Sequence, residues 1–120
     1  MENIKLFDSE LRLMEIIWAQ APISAKDVSS IAAEKFGWNK NTTYTVIKKL
    51  INKEAVERSE PGFICTPLIT KEKVQLQETK TLIDKVYNGS VKLLFSTFLK
   101  SEKLSVQELD EIRRIIDSQK

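Results

Sequence analysis

The chain has 120 residues, of which 42% are hydrophobic and 30% are charged, and its formal net charge is +2. This length suits one compact domain, or one small domain with an extension that needs a partner. A single cysteine excludes a disulfide framework or a four-thiolate metal site within one chain, and the absence of a P-loop or GxGxxG motif indicates no enzyme and no cofactor. No apolar stretch approaches the roughly 20 residues of a membrane span, so we expect a cytoplasmic protein without membrane insertion.

Two short helices are predicted first. Asp8 is a suitable N-cap for a helix with a broad apolar face that ends near Gln20. Pro22 breaks this pattern and indicates a short extended piece. Ser24 is placed to cap a second helix and Gly37 to end it, since glycine tolerates a positive φ.

The third predicted helix, Asn39–Lys53, has two different faces. Steps of 100° per residue place on one side Thr43, Val46, Ile47, Leu50 and Ile51. The opposite side carries amides, hydroxyls and lysines, namely Asn41, Thr42, Thr45, Lys48, Lys49 and Asn52, with Tyr44 at the border. The stretch from Gly37 to Lys53 holds four lysines and no acidic residue. A face of this kind can contact base edges and phosphates, although an ordinary solvated surface is the alternative.

The pattern then changes to a β-hairpin and, beyond Thr70, to three further helices. Ala55–Glu60 and Phe63–Thr66 flank a Pro61-Gly62 turn, which predicts the hairpin. About 50 residues in short amphipathic helices bury their apolar faces poorly alone, so we expect a symmetric dimer. The predicted interface residues are Leu82, Val86, Leu94, Phe95, Phe98, Leu109, Ile112 and Ile116. Folding back of these helices onto the amino-terminal region is the alternative.

Three helices followed by a hairpin are typical of a winged helix-turn-helix, in which the third helix enters the major groove. We therefore predict a mostly α fold with a small β-hairpin. It comprises a winged-helix DNA-binding domain over residues 1–70 and a helical dimerisation domain over residues 71–120. The candidate DNA contacts are Lys40, Asn41, Thr42, Tyr44, Thr45, Lys48, Lys49 and Arg58. The expected partners are double-stranded operator DNA and a second copy of the chain. A winged-helix protein adaptor and a ligand-responsive regulator of the MarR type remain alternatives.

Several segments of the chain share the pattern of one known family, namely Glu10, Met14 and Trp18; Trp38 and Asn41-Thr42-Thr43; Val46–Leu50; Thr66–Ile69; Tyr87–Ser90; and Phe98-Leu99. On these segments the sequence resembles the BlaI/MecI/CopY family of penicillinase and methicillin-resistance repressors over nearly its whole length. The resemblance implies a homodimeric repressor of β-lactam resistance genes that binds palindromic operators. It also implies relief of repression through a membrane sensor-protease pathway, with cleavage of the bond equivalent to Thr97–Phe98.

Several positions depart from the pattern of that family. Thr97 stands in place of the asparagine before the cleaved bond, and Glu54 stands where members often have glycine. The predicted wing contains Glu60, which would repel phosphate and leave Arg58 as the contributing wing cation. Cys65 is alone, so the paired Cys-x-Cys motifs of the copper-responsive branch are absent, and a packed thiol is expected at this position.

Overall fold

A computed structural model of the chain describes residues 4–119, so the outermost residues of the two predicted domains, 1–3 and 120, lie outside it. The elements in chain order are α1 (Asp8–Gln20), β1 (Ile23–Ser24), α2 (Ala25–Phe36), α3 (Lys40–Asn52), β2 (Val56–Ser59), β3 (Ile64–Pro67), α4 (Lys71–Val86), α5 (Val91–Ser101) and α6 (Val106–Asp117). This order confirms the mostly α fold with a small β-hairpin. The chain divides into two compact units, Met1–Gln77 and Glu78–Lys120, and the division falls within α4.

Side-chain caps fix the starts of α2 and α3 where the sequence predicted them. The Ser24 hydroxyl accepts a hydrogen bond from the Asp27 amide at 3.0 Å, and the Asn39 side-chain oxygen accepts one from the Thr42 amide at 2.8 Å. Each cap satisfies an amide that has no partner within the helix. Gly37 ends α2 with a φ of 70°, which is the left-handed conformation expected of a glycine stop.

The start of α1 differs from the prediction by one residue. Phe7 is the N-cap, and Asp8, which was predicted to hold that position, is the first helical residue. The Phe7 amide donates to Oε1 of Glu10 at 2.7 Å. A carboxylate within the first turn therefore secures this helix start in place of the Asp8 side chain.

The predicted hairpin is confirmed, and it belongs to a three-stranded antiparallel sheet in the order β1-β3-β2. Cys65 on β3 pairs with Arg58 on β2 and with Ile23 on β1. The extended piece after α1 is thus a strand that attaches to the hairpin. A hydrogen bond from the Ala25 amide to the Phe63 carbonyl, 2.9 Å long, ties the hairpin turn to the first residue of α2.

The core of the first unit lies between its helices and this sheet. Its largest fully buried apolar side chains include Leu13, Met14, Ile17, Val28, Ile47, Leu50, Val56 and Cys65. The predicted inward face of α3 is confirmed, with Ile51 partly buried. Cys65 is a packed thiol as expected, and burial raises its pKa, which disfavours the reactive thiolate.

The two tryptophans also pack against this core. The indole nitrogen of Trp18 donates to the Ile69 carbonyl at 2.9 Å and so fixes the chain just beyond β3 against α1. Trp38 packs on Phe36, with 5.3 Å between the ring centroids. Both side chains are partly buried against the core of the first unit.

A buried ion pair joins the end of α3 to the start of α1. Glu10 is only 1% exposed, and the Lys53 ammonium lies 2.7 Å from its Oε1. The same ammonium donates to the Lys5 carbonyl at 2.8 Å and lies 4.4 Å from the centroid of the Phe7 ring. Among the described residues, Oε2 of Glu10 has no hydrogen-bond partner. Lys53 therefore neutralises a core carboxylate and does not extend the basic surface of α3.

Glu54, the next residue, is one of the departures from the family pattern, and it lies at the turn that follows α3. Its φ is 62°, in the left-handed region. A glycine would adopt this conformation without a Cβ penalty, whereas Glu54 pays that steric cost in order to end α3 and turn into β2.

The second unit has apolar stripes but no buried core of its own. Among residues 78–119, no side chain is fully buried. Of the predicted interface residues, Leu94 and Ile112 are partly buried, and the exposed ones are Leu82, Val86, Phe95, Phe98, Leu109 and Ile116. The caps of α5 and α6 at Ser90 and Ser105 nevertheless form, so these helices begin at defined residues.

Two further findings concern the part of the chain that the structure describes. No helix within it has the length and apolar character needed to cross a membrane. No group of three or more cysteine and acidic side chains is arranged there to hold a metal ion.

The buried ion pair generates the first prediction. We expect Lys53→Met to lower the free energy of unfolding by about 3 kcal/mol, because it leaves the Glu10 carboxylate buried without its cation. Urea unfolding followed by tryptophan fluorescence measures this loss. Lys71→Met is the matched control, since it breaks a 3.0 Å pair with Glu15 in which both side chains are about half exposed. The control should cost less than about 1 kcal/mol, and equal losses would contradict the prediction.

Candidate nucleic-acid interface

The polar face of α3 is exposed as the sequence predicted. Its predicted members Asn41, Thr42, Thr45, Lys48, Lys49 and Asn52 are all exposed, and so is Lys40 at the start of the helix. Tyr44 is partly buried, in agreement with its predicted place at the border. The Thr45 hydroxyl donates to the Asn41 carbonyl at 2.9 Å, so its oxygen keeps lone pairs that can accept a further hydrogen bond.

The charge of this face is uniformly favourable to an anion. The first turn of α3 contains no acidic residue. Amides at the start of a helix carry partial positive charge, and only one of them is used by the Asn39 cap. Lysine ammonium groups stand at both ends of the face, so it complements a row of phosphates without an internal repulsion.

An open depression of about 400 Å³ lies along this face. It is lined by Ser9, Asn39, Asn41, Thr42, Thr45, Val46 and Lys49. Ser9 comes from the first turn of α1, and sequence reasoning missed it because the approach of α1 to α3 is a tertiary contact with no local signal. The hydroxyl, amide and ammonium groups of this lining are the donors that proteins use to hold a phosphate oxygen.

Two aromatic side chains connect α3 to the hairpin, and we call Tyr44 and Phe63 the aromatic bridge. Their rings meet edge to face, with 5.8 Å between centroids and an interplanar angle of 89°. The Lys40 ammonium lies 5.6 Å from the Tyr44 centroid, and the Arg58 guanidinium carbon lies 3.6 Å from the Phe63 centroid. The bridge therefore carries a cation at each end and joins the polar face of α3 to the wing.

Phe63 lies between α3 and Arg58 in the candidate interface, and the sequence analysis did not single it out. Its φ is 51°, an unfavourable left-handed conformation for a bulky side chain. The Pro61-Gly62 pair indicated the turn, but nothing in it indicates that the next ring would pack under an arginine. The strain is tolerated because the ring contacts Tyr44 on one side and Arg58 on the other.

Arg58 lies on the wing as predicted, but its charge is engaged within the chain. Its Nε donates to Oε2 of Glu60, and Oε1 of Glu60 accepts the Phe63 amide at 3.3 Å. The hydrogen bond from Arg58, followed by that from Phe63, holds the pKa of Glu60 below its ordinary value. The ionised carboxylate and the Arg58 guanidinium together leave the wing tip with a neutralised pair.

The predicted cleavage bond lies in the second unit, in the interior of α5. Thr97 and Phe98 are both exposed at the level of their side chains. The Phe98 carbonyl accepts the Glu102 amide at 2.9 Å, so the backbone beside this bond is helical and hydrogen-bonded. A protease that requires an extended substrate would have to unwind α5 first.

Comparison with known proteins gives a consistent result over nearly the whole chain. The family model described as Penicillinase repressor matches residues 6–118. The penicillinase repressor of Bacillus licheniformis is 26% identical over 118 residues, which cover 97% of this chain and 92% of that protein. The penicillinase repressor of Staphylococcus aureus is 27% identical, with 97% and 94% covered. The methicillin resistance regulatory protein MecI of Mammaliicoccus sciuri is 26% identical, with 97% and 96% covered.

Two solved structures share the winged-helix fold. The DNA binding domain of the repressor BlaI, in solution, matches with a TM-score of 0.54 and 30% identity, covering 59% of this chain and 90% of that chain. The monomeric form of Bacillus licheniformis BlaI in complex with the blaP half-operator matches with a TM-score of 0.54 and 29% identity, covering 60% and 92%. These similarities confirm the predicted winged-helix fold.

Proposed function

Because the chain belongs to the penicillinase repressor family, we propose that it represses β-lactam resistance genes in the cytoplasm by binding their operator DNA. The exposed, acid-free polar face of α3 carries this proposal, since it lies in a fold that a relative uses on half-operator DNA. The family is one of transcriptional repressors and not of enzymes. That DNA complex also favours DNA over a protein as the partner of the wing and α3.

We place α3 in the major groove, where one helix fits and base edges offer donors and acceptors. Asn41, Thr42 and Thr45 would contact base edges, and Tyr44 the border of the groove. The lysines at positions 40, 48 and 49 would contact phosphates on either side. Ser9, which borders the depression beside Lys49, would add a hydroxyl contact to the backbone from α1.

The lysines of α3 provide the test of DNA binding. We expect Lys48→Ala and Lys49→Ala each to weaken binding to a duplex from the promoter of this gene and to a scrambled duplex alike. Each should lower the slope of log affinity against log salt by about one, because one phosphate contact is lost. Fluorescence anisotropy at a series of salt concentrations measures both quantities.

Lys103→Ala is the control for net charge, because Lys103 is exposed between α5 and α6. It should leave the salt slope unchanged. Equal effects of all three substitutions, or binding of the wild-type chain to promoter DNA that is insensitive to salt, would contradict the proposal.

We also propose that the second unit forms the contact between two copies of the chain. Amphipathic helices without a buried core need a partner surface, and a second copy offers equivalent apolar stripes. Two DNA-binding units related by a two-fold axis would read a palindromic operator as two half-sites. The proposed interface consists of the eight residues of α4, α5 and α6 that were predicted from the sequence.

Substitution in α6 tests the dimer. We expect Ile116→Glu to shift the chain toward monomer in sedimentation velocity, because a carboxylate would replace an apolar side chain that is 59% exposed in the single chain. Gln107→Glu introduces the same charge at an exposed polar position of α6 and should leave the dimer intact. Sedimentation of Ile116→Glu as an unchanged dimer would exclude Ile116 from the interface.

Release from DNA is proposed to follow cleavage at Thr97–Phe98 through a membrane sensor-protease pathway. The cut would remove α6 and divide α5, and would therefore separate apolar side chains that the two copies need for pairing. Because the bond lies inside α5, cleavage would require local unwinding of the helix first.

Mass spectrometry tests this route directly. We expect the chain purified from cells exposed to a β-lactam to yield a fragment that ends at Thr97. Thr97→Asn introduces the residue that the family pattern places before the bond, and it should be cleaved at least as fast. An intact chain in cells whose resistance genes are already derepressed would eliminate proteolysis as the release step.

A further inference from the structure

We propose that Glu60 sets the DNA affinity of this chain by holding Arg58 away from the phosphate backbone. The inference rests on the proposed DNA-binding function. It assigns an affinity-determining role to a wing carboxylate, whose removal should tighten binding.

The geometry of the wing tip engages Arg58 twice. Its Nε is hydrogen-bonded to Glu60, and one face of its guanidinium covers the Phe63 ring at 3.6 Å. A guanidinium that is paired with a carboxylate contributes little net charge to a phosphate several ångströms away. The Glu60 carboxylate itself repels the same phosphate, so the pair gives the wing tip no net electrostatic attraction to DNA.

The wing tip belongs to the same surface as α3, which makes this pair relevant to binding. The aromatic bridge lies between these two cations, because Phe63 contacts Arg58 and Tyr44 contacts Lys40 on the first turn of α3. Phe63 is held from its carbonyl side by the Ala25 amide, independently of Glu60. If the Glu60 charge is removed, the ring stays in place and presents Arg58 beside the polar face of α3.

The conservative substitution Glu60→Gln isolates this effect. Glutamine keeps the shape of the side chain and an oxygen that can accept the Phe63 amide, but it loses the charge that pairs with Arg58. Glu57→Gln is the matched control, because it removes the same charge from β2. Successive residues of a strand point to opposite faces, so Glu57 lies on the face opposite to Arg58.

The experiment measures anisotropy with a duplex from the promoter of this gene and with a scrambled duplex. Near 0.1 M salt, Glu60→Gln should bind both duplexes roughly three- to tenfold more tightly, with a salt slope steeper by about one, since one more phosphate is neutralised. Arg58→Gln alone should bind more weakly than the wild type, because it leaves the Glu60 carboxylate without its cation, and combining it with Glu60→Gln should abolish the increase. Glu57→Gln should leave the affinity and slope close to those of the wild type.

Three outcomes would overturn the role of Glu60. They are an unchanged affinity of Glu60→Gln, an increase that survives the addition of Arg58→Gln, and an equal increase with Glu57→Gln. The Arg58 Nε–H resonance provides a readout that does not need DNA, because its exchange with water should accelerate in Glu60→Gln. If that acceleration is seen while no variant and no wild-type chain binds either duplex, the proposed DNA-binding function fails although the ion pair exists.

Discussion

Glu10 places a carboxylate in the core of the first unit, and the position of α3 depends on how that charge is satisfied. At 1% exposure the group cannot draw on bulk water, so it takes the Phe7 amide and the Lys53 ammonium as partners. An apolar pair of the same volume could stabilise the fold as well or better. The ion pair also fixes the position of one helix against the other, because Lys53 caps the end of α3 and Glu10 lies in the first turn of α1. A shift of α3 along α1 would leave the Glu10 carboxylate without its cation. The ion pair therefore restrains the position of α3, and with it the position of its polar face.

The parts of this arrangement that sequence predicts are those with local causes. The caps at Ser24 and Asn39, the stop at Gly37 and the two faces of α3 follow from hydrogen bonds or spacing within one helical turn or two. The parts that it does not predict have partners far along the chain. Lys53 was counted with the basic stretch because its partner, Glu10, is 43 residues away. Ser9 was overlooked for the same reason, since only the tertiary contact of α1 with α3 brings it to the depression.

The two glutamates that depart from the family pattern act on the structure in different ways. Glu54 affects the backbone, because its left-handed φ raises the conformational energy of the turn after α3. It does not belong to the candidate interface. Glu60 affects the charge of the wing, because its carboxylate pairs with Arg58, which the sequence analysis predicted as a DNA contact. The sequence analysis foresaw repulsion between Glu60 and phosphate. It did not foresee that Glu60 would accept a hydrogen bond from Arg58.

A weakened wing has a consequence for how such a protein would release DNA. When two half-sites are bound by a linked pair of units, binding of the second unit is intramolecular, and the overall affinity greatly exceeds that of one unit. The advantage vanishes once the link is broken. A relative of this chain occupies a half-operator as a monomer, so a single unit of this fold is able to bind DNA. If each unit bound tightly on its own, breaking the dimer would leave the operator occupied. By lowering the affinity of the single unit, the Arg58–Glu60 pair makes occupancy depend on the integrity of the second unit, where the proposed interface and the proposed cleavage bond are both located.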